Sequence, residues 1–171
     1  DVTDDPEAPD CLPLHLIGQS QSNKIGKMLP DGNTIASVDS REPAEKIARR
    51  AAAREQTVGV LLEVNESGEP TKSGCTPDEA FELALRIAQL EGLELQGLMT
   101  VGAHVDDERE IRRGFAHLRD VRDRVRDSDA EGTATCVELS MGMSGDMTYA
   151  IDEGATIVRI GQAIFGERDF K

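Results

Sequence analysis

The stretch from Glu138 to Phe165, ELSMGMSGDMTYAIDEGATIVRIGQAIF, carries the strongest structural signal in the chain. It indicates a strand, a loop of small residues, a short helix, a second strand, and a glycine before the next element. Two strand-to-helix junctions therefore lie close together, at 140–144 and 159–162. Because the first amides of a helix are unpaired and carry partial positive charge, each junction is a candidate phosphate site.

The composition describes an acidic chain with few aromatic residues. Its 171 residues carry a net charge of −14, contain no Trp and are only 3% aromatic, so aliphatic side chains must fill the core. Nucleic acids and anionic membranes normally bind basic surfaces, and we therefore expect neither as a partner.

Cysteine usage and hydropathy point to a cytoplasmic protein. Cys11, Cys75 and Cys136 are far apart and form no CxxC pair or Cys/His cluster, so we predict reduced thiols and no metal site. No apolar run approaches the ~18 residues of a membrane helix, and the first residues do not resemble a signal peptide.

Predicted strands and helices alternate along the chain. Strands are predicted at 14–18, 34–38, 57–64, 93–101, 136–141 and 156–160. Helices are predicted at 44–54, 77–90, 106–126 and 146–153. Residues 1–13 are predicted to be an acidic loop or disordered lead-in, and 14–171 a single domain. This alternation is typical of parallel βαβ units and an α/β fold.

Two parallel architectures fit this pattern. A doubly wound sheet needs about six strands, whereas a closed (β/α)8 TIM-type barrel needs eight. No GxGxxG opens a helix, which weakens the dinucleotide-binding form of the doubly wound sheet. The pattern alone leaves both architectures open.

The segment 139–166 resembles the signature of the YggS/PROSC family of pyridoxal-phosphate-binding proteins. Three more stretches agree in order: LHLIGQSQSNK at 14–24, VNESGEPTKSG at 64–74 and GLMTV at 97–101. The resemblance implies a (β/α)8 barrel similar to the N-terminal domain of alanine racemase, and so favours the barrel.

The same resemblance shows that two N-terminal motifs of the family are missing from this sequence. In the family, the lysine that forms the Schiff base lies in a motif resembling AVSKTKP, followed by a stretch resembling FGENYVQE. Neither is present in these residues, and residue 14 resembles the start of the third strand. We therefore expect about six of eight βα units, no Schiff-base lysine, and a fragment or a natural polypeptide with more residues upstream.

The resemblance implies that pyridoxal 5′-phosphate (PLP) binds at the two junctions. In such barrels the arginine that matches Arg159 points at the pyridine nitrogen and keeps it unprotonated. Gly161 and Gln162 are expected to donate amides to the phosphate, which the missing Cβ of Gly161 lets approach. From spacing alone, Arg159 fits a surface ion pair equally well, and Gly161 fits a strand end.

Three further candidates are weaker. Ser140 is expected to give a hydroxyl to the phosphate, whereas Ser144 fits a helix cap as well as a phosphate contact. Met99 packs either beside the ring or in the core. Lys72 aligns with a racemase arginine but also fits a solvated loop lysine. His15 lies in a strand motif and fits a satisfied interior histidine better than an acid or base, whereas no partner is identifiable for His104 or His117.

The resemblance implies a function in intracellular PLP homeostasis, in which the protein buffers or delivers the cofactor and balances amino-acid and keto-acid pools. It implies PLP and PLP-dependent apoenzymes as partners, and we expect a monomer or weak dimer that carries cofactor without catalysis. An amino-acid racemase of the same barrel is the alternative, although the single tyrosine, Tyr149, is not obviously placed for acid–base work. The glycine junctions alone also fit a phosphate-binding barrel for another metabolite.

Overall fold

A computed structural model describes residues 14–18, 34–69, 71–103, 105 and 107–166. The predicted lead-in at 1–13 and His104 lie outside the described residues. The elements are β1 (His15–Leu16), β2 (Thr34–Val38), α1 (Arg41–Ala52), β3 (Val58–Glu63), α2 (Pro77–Ala88), β4 (Leu93–Met99), α3 (Glu108–Arg126), β5 (Glu138–Ser140), α4 (Met147–Asp152) and α5 (Gln162–Phe165).

The strands form one parallel sheet in which their spatial order, β1 to β5, repeats their order in the sequence. A doubly wound sheet reverses its strand order at a switch point, whereas a barrel proceeds around in sequence. The strand order therefore decides between the two architectures that the sequence pattern left open. The fold is α/β and TIM-barrel-like.

The main core lies between the sheet and the helices. Outward-facing residues such as Val60, Leu62 and Leu95 are fully buried together with residues of α1, α2 and α3, including Phe115. Helix α3 contributes an apolar stripe to this core, whereas Arg122 on the same helix is only partly buried; the stripe consists of Ile111, Phe115, Leu118, Val121 and Val125. Burial of aliphatic area drives this packing, because aromatic side chains are scarce.

The opposite face of the sheet carries a smaller cluster of Ala36, Leu61 and Met99. Because side chains alternate along a strand, Glu63 shares this inner face with Leu61. This face corresponds to the interior of a barrel.

Helix boundaries follow local capping chemistry. Helix α2 begins with a capping box, in which the Glu79 side chain accepts hydrogen bonds from the backbone N and Oγ1 of Thr76, and Pro77 occupies the first turn. Helix α3 begins at Glu108, two residues later than predicted, because Asp107 caps it by accepting from the Arg109 amide at 2.9 Å.

The predicted sixth strand at 156–160 is wrong. Only an isolated parallel bridge joins Ile157 to Ser140 in this segment. The amide of Arg159 donates instead to the carbonyl of Gly142, 3.0 Å away, so the chain follows the loop after β5 and leaves the ladder. An apolar, β-branched run predicts extended backbone, but a strand also needs a regular partner along its length.

Candidate functional site

The candidate site lies where β3, β4 and β5 end. Glu63 ends β3, Thr100 directly follows Met99 at the end of β4, and Ser140 ends β5. In barrels of parallel strands, the carboxyl ends form the face that binds ligands. The site therefore lies on the expected side of this sheet.

Arg159 connects two of these strand ends. Its Nη1 donates to the carbonyl oxygen of Ser140 at 2.9 Å and to the Ser140 Oγ at 2.8 Å. Its Nη2 donates to the carbonyl oxygen of Thr100 at 2.7 Å. A guanidinium has five N–H donors in a fixed plane, so these three bonds hold it in one orientation. The Nε–H and one Nη2–H remain without a hydrogen-bond acceptor among the described residues.

Carboxylates surround this arginine without pairing to it. Burial lowers the pKa of the Arg159 guanidinium, and the negative charges of Glu63 and Asp146 act in the opposite direction. An arginine remains charged in a protein even when buried. The site therefore holds a fixed cation between two strand ends.

Glu63 is an unusual residue on the inner face. It is 7% exposed, and its carboxylate makes no hydrogen bond or ion pair with any described residue. Burial raises the pKa of Glu63, the charge of Asp39 raises it further, and the charge of Arg159 partly offsets both.

Gly161 and Gln162 present the unpaired amides that the sequence predicts. Both are exposed where α5 begins, and within the described part of the chain neither amide donates a hydrogen bond. A Cβ built at Gly161 meets no atom within 4 Å, so open space adjoins these amides. These two unpaired amides, two and three residues beyond Arg159, are suited to an anion.

The two candidate serines, Ser140 and Ser144, differ in their exposure to solvent. Ser140 is 1% exposed and in contact with Arg159, whereas Ser144 is exposed. The Asp146 carboxylate turns back to accept from the Met143 amide, which closes the loop before α4. Gly142 supports this loop with a φ of +91°, and a Cβ there would lie 2.5 Å from the Cβ of Ala150.

Met99 and Lys72 have different surroundings. Met99 is buried in the inner cluster with Leu61, on the face that also carries Glu63. Lys72 forms an ion pair with Glu69 at 2.8 Å, in a loop held by the Asn65 side chain, whose amide donates to the carbonyl oxygens of Glu69 and Lys72. The lysine is therefore an ordered loop residue.

The sequence motifs did not identify Thr100 and Glu63 as site residues. Thr100 is fully buried, donates from Oγ1 to the Val64 carbonyl at 2.7 Å, and presents its own carbonyl to Arg159. The only sequence signal for Glu63 was a single acid at the end of an otherwise apolar strand. Such an acid is rarely buried without a reason.

Two kinds of feature are absent from the part of the chain that the structure describes. It contains no cluster of three or more His, Cys, Asp or Glu side chains suited to a metal ion. None of its helices combines the length and the apolar character required to cross a membrane.

Residues 12–169 match the family model described as the alanine racemase N-terminal domain. The Pyridoxal phosphate homeostasis protein of Aquifex aeolicus is 38% identical over 159 residues, which are 93% of this chain and 68% of that protein. The chain therefore belongs to the alanine racemase N-terminal domain family that this model describes. A second relative of the same name, from Pseudomonas aeruginosa, is 40% identical over 161 residues, covering 93% of this chain and 67% of that protein.

Solved structures agree with this assignment. An unknown protein from Bifidobacterium adolescentis is 66% identical with a TM-score of 0.87, covering 90% of this chain and 60% of that one. PipY of Synechococcus elongatus with PLP bound is 31% identical with a TM-score of 0.78, covering 92% and 72%. The chain thus spans about two thirds of the length of the curated family members it matches.

Proposed function

We propose that this chain binds PLP and takes part in PLP homeostasis as a cofactor carrier. The observation that carries the proposal is the partly buried guanidinium of Arg159, which donates hydrogen bonds at two strand ends close in sequence to the unpaired amides of Gly161 and Gln162. Relatives named for PLP homeostasis and a PLP-bound relative support the choice of ligand.

The residues present fit a phosphate ester with an aromatic ring nitrogen. The amides of Gly161 and Gln162 are unpaired and available to the phosphate. Gly161 has no Cβ, so the phosphate can approach its backbone closely. Ser140 keeps its hydroxyl proton while it accepts from Arg159, and exposed Ser144 offers a second hydroxyl. The free N–H groups of Arg159 are the donors for the ring nitrogen, and Met99 packs below the ring.

A carrier role suits the charge of Arg159 better than versatile catalysis. Bound PLP supplies an electron-withdrawing ring, and this property weakens when a guanidinium rather than a proton faces the ring nitrogen. Arg159 cannot give up its proton readily, so it stabilises the unprotonated ring. The site therefore holds the cofactor and restrains its reactivity.

The racemase alternative needs an acid–base group on the ring side. Tyr149, the single tyrosine, lies on α4 and packs against the outer core, with the guanidinium of Arg112 4.9 Å from its ring centroid. That position is on the helix side of the sheet. If the PLP-loaded chain incorporated deuterium from D2O at the α-carbon of alanine, that result would favour the racemase instead.

The test of PLP binding is a titration followed by ligand fluorescence and checked by equilibrium dialysis. Arg159→Ala removes the cation and three hydrogen bonds, so we expect affinity to fall about tenfold or more. Arg113→Ala, on the exposed surface of α3, is the matched loss of one positive charge and is expected to bind normally. Equal affinity of the Arg159→Ala variant and the wild type would remove Arg159 from the site.

A further inference from the structure

We propose that Thr156, with its hydroxyl oriented by Glu138, is a positioning residue for the ligand site. Its side chain fixes the start of the segment 156–162, on which Arg159 and the two unpaired amides lie. This inference rests on the proposed function and deepens it, because it names the contact that holds the binding groups in place.

The first observation is that the segment 156–162 has few regular bonds to the sheet. An isolated bridge joins Ile157 to Ser140, and the amide of Arg159 donates to the carbonyl of Gly142. A strand in a ladder is held by evenly spaced hydrogen bonds along its length. This segment therefore depends on individual contacts for its position.

The second observation is the contact between Thr156 and β5 at the start of this segment. The Thr156 Oγ1 accepts from the Leu139 amide at 2.8 Å, and the Thr156 amide donates to the Leu139 carbonyl at 3.0 Å. One residue of the segment thus binds both backbone groups of one strand residue. This contact sets the register of the segment against β5.

The third observation is that Glu138 orients the Thr156 hydroxyl. A threonine hydroxyl has one proton and two lone pairs, so it donates once while it accepts. The Glu138 carboxylate is its close acceptor, whereas the Leu139 carbonyl lies 3.4 Å away. The proton therefore points to the carboxylate and leaves a lone pair for the Leu139 amide. A hydrogen bond to a charged acceptor is stronger than a neutral one.

The register set at Thr156 reaches the guanidinium through three residues of chain. In extended backbone, a slip of one residue displaces the chain by about 3.3 Å. The bonds from Arg159 to Ser140 and Thr100, at 2.7–2.9 Å, would not survive such a displacement. The Thr156 contact therefore acts on the ligand through Arg159 and the amides that follow it.

The test compares PLP affinity among variants at this one position. Thr156→Val keeps the shape and removes the hydroxyl, so affinity should fall about fivefold, which corresponds to the loss of one hydrogen bond. Thr156→Ser restores the hydroxyl and should recover most of the affinity. Thr156 is exposed, so neither change leaves a cavity in the core.

The matched control is Thr135→Val, in the loop before β5. Thr135 is also exposed, and its Oγ1 donates to the Leu95 carbonyl at 2.9 Å, so the change removes a comparable bond. This variant should bind PLP like the wild type. The proposal is overturned by wild-type affinity in Thr156→Val, by an equal loss in Thr135→Val, or by a Thr156→Ser variant as weak as Thr156→Val.

A measurement on the wild-type chain does not depend on the folding of any variant. Coupling is reciprocal, so a segment position that favours PLP must itself be favoured by PLP. Saturating PLP should therefore slow hydrogen exchange of the Leu139 amide about threefold more than exchange of the Val137 amide, which donates to the Gln96 carbonyl in β4. Equal slowing of the two amides, or no change in either, would contradict the proposal.

The outcomes separate this inference from the proposed function. Binding of PLP by the wild type with unchanged affinity in Thr156→Val overturns the role of Thr156 and leaves the carrier function intact. Failure of the wild-type chain to bind PLP overturns the proposed function and this inference together.

Discussion

Gly161 is the residue at which folding and ligand binding separate most cleanly. Its φ of −120° is accessible to alanine, and a Cβ there meets no protein atom within 4 Å. Gly161→Ala should therefore leave the unfolding free energy within about 0.5 kcal/mol of wild type. The added methyl group would occupy the space proposed for the phosphate, so PLP affinity should fall.

The control for this substitution is Gly145→Ala, where a Cβ also meets nothing within 4 Å. Urea denaturation and PLP titration of both variants make the comparison. If Gly161→Ala binds PLP as tightly as Gly145→Ala, the phosphate does not lie against Gly161.

Glu63 makes the stability depend on pH. Burial raises its pKa in the folded state, so between the ordinary value of about 4.3 and the raised value the folded chain binds more protons than the unfolded chain. The contribution of Glu63 to the free energy of unfolding therefore falls as the pH rises through this window. Above the window, Glu63 is charged in both states, and burial disfavours the charge in the folded chain.

Glu63→Gln removes that cost. We expect the ligand-free variant to be more stable than wild type by about 1 kcal/mol at pH 7–8. The difference should vanish below about pH 4, where Glu63 is protonated in both states. Urea denaturation across this range measures it, with Glu94→Gln as the control. A variant less stable than wild type at pH 7–8 would mean that the Glu63 carboxylate has a stabilising partner.

At the scale of elements, the close approach of β4 and β5 is the critical packing. A Cβ at Gly97 would lie 2.1 Å from the carbonyl oxygen of Glu138, in a strand pair that β5 makes with only three residues. Gly97→Ala must push β5 away and disturb Ser140. We expect a loss of about 2–3 kcal/mol in the free energy of unfolding, together with weaker PLP binding.

Gly59→Ala is the comparison for this prediction. There the Cβ would meet only the end of the Gln96 side chain, which can rotate away, so the loss of stability should be smaller. Urea denaturation gives both values. An equal loss in the two variants would show that backbone contact between β4 and β5 is not the critical feature.

Much of the element pattern could be predicted from local sequence. Strands β2, β3 and β4 and helices α1 to α3 have the propensities that their sequences indicate, and α2 and α3 begin at side-chain caps. The error at 156–160 arose because apolar β-branched residues indicate extended backbone without saying whether it finds a regular partner. The contacts of Arg159 with Thr100 and Ser140 join residues far apart in the chain, and no spacing rule predicts them.

At the scale of the whole molecule, the order of the strands carries the architecture. Sequential parallel strands with the helices α1 to α3 sharing one core give a barrel-like sheet, and its carboxyl end collects Glu63, Thr100 and Ser140. Composition and periodicity could not decide this, because a doubly wound sheet uses the same alternation of elements. The resemblance of four motifs favoured the barrel, and the strand order agrees.

The most direct test of the account is to follow backbone amide resonances of the ¹⁵N-labelled chain during a PLP titration. We predict that the amides of Gly161 and Gln162 shift most and saturate with ligand, because they donate to the phosphate. Arg159 Nε should move with them. Saturable PLP binding that leaves these three signals unchanged would contradict the account, since the phosphate and ring would then lie elsewhere.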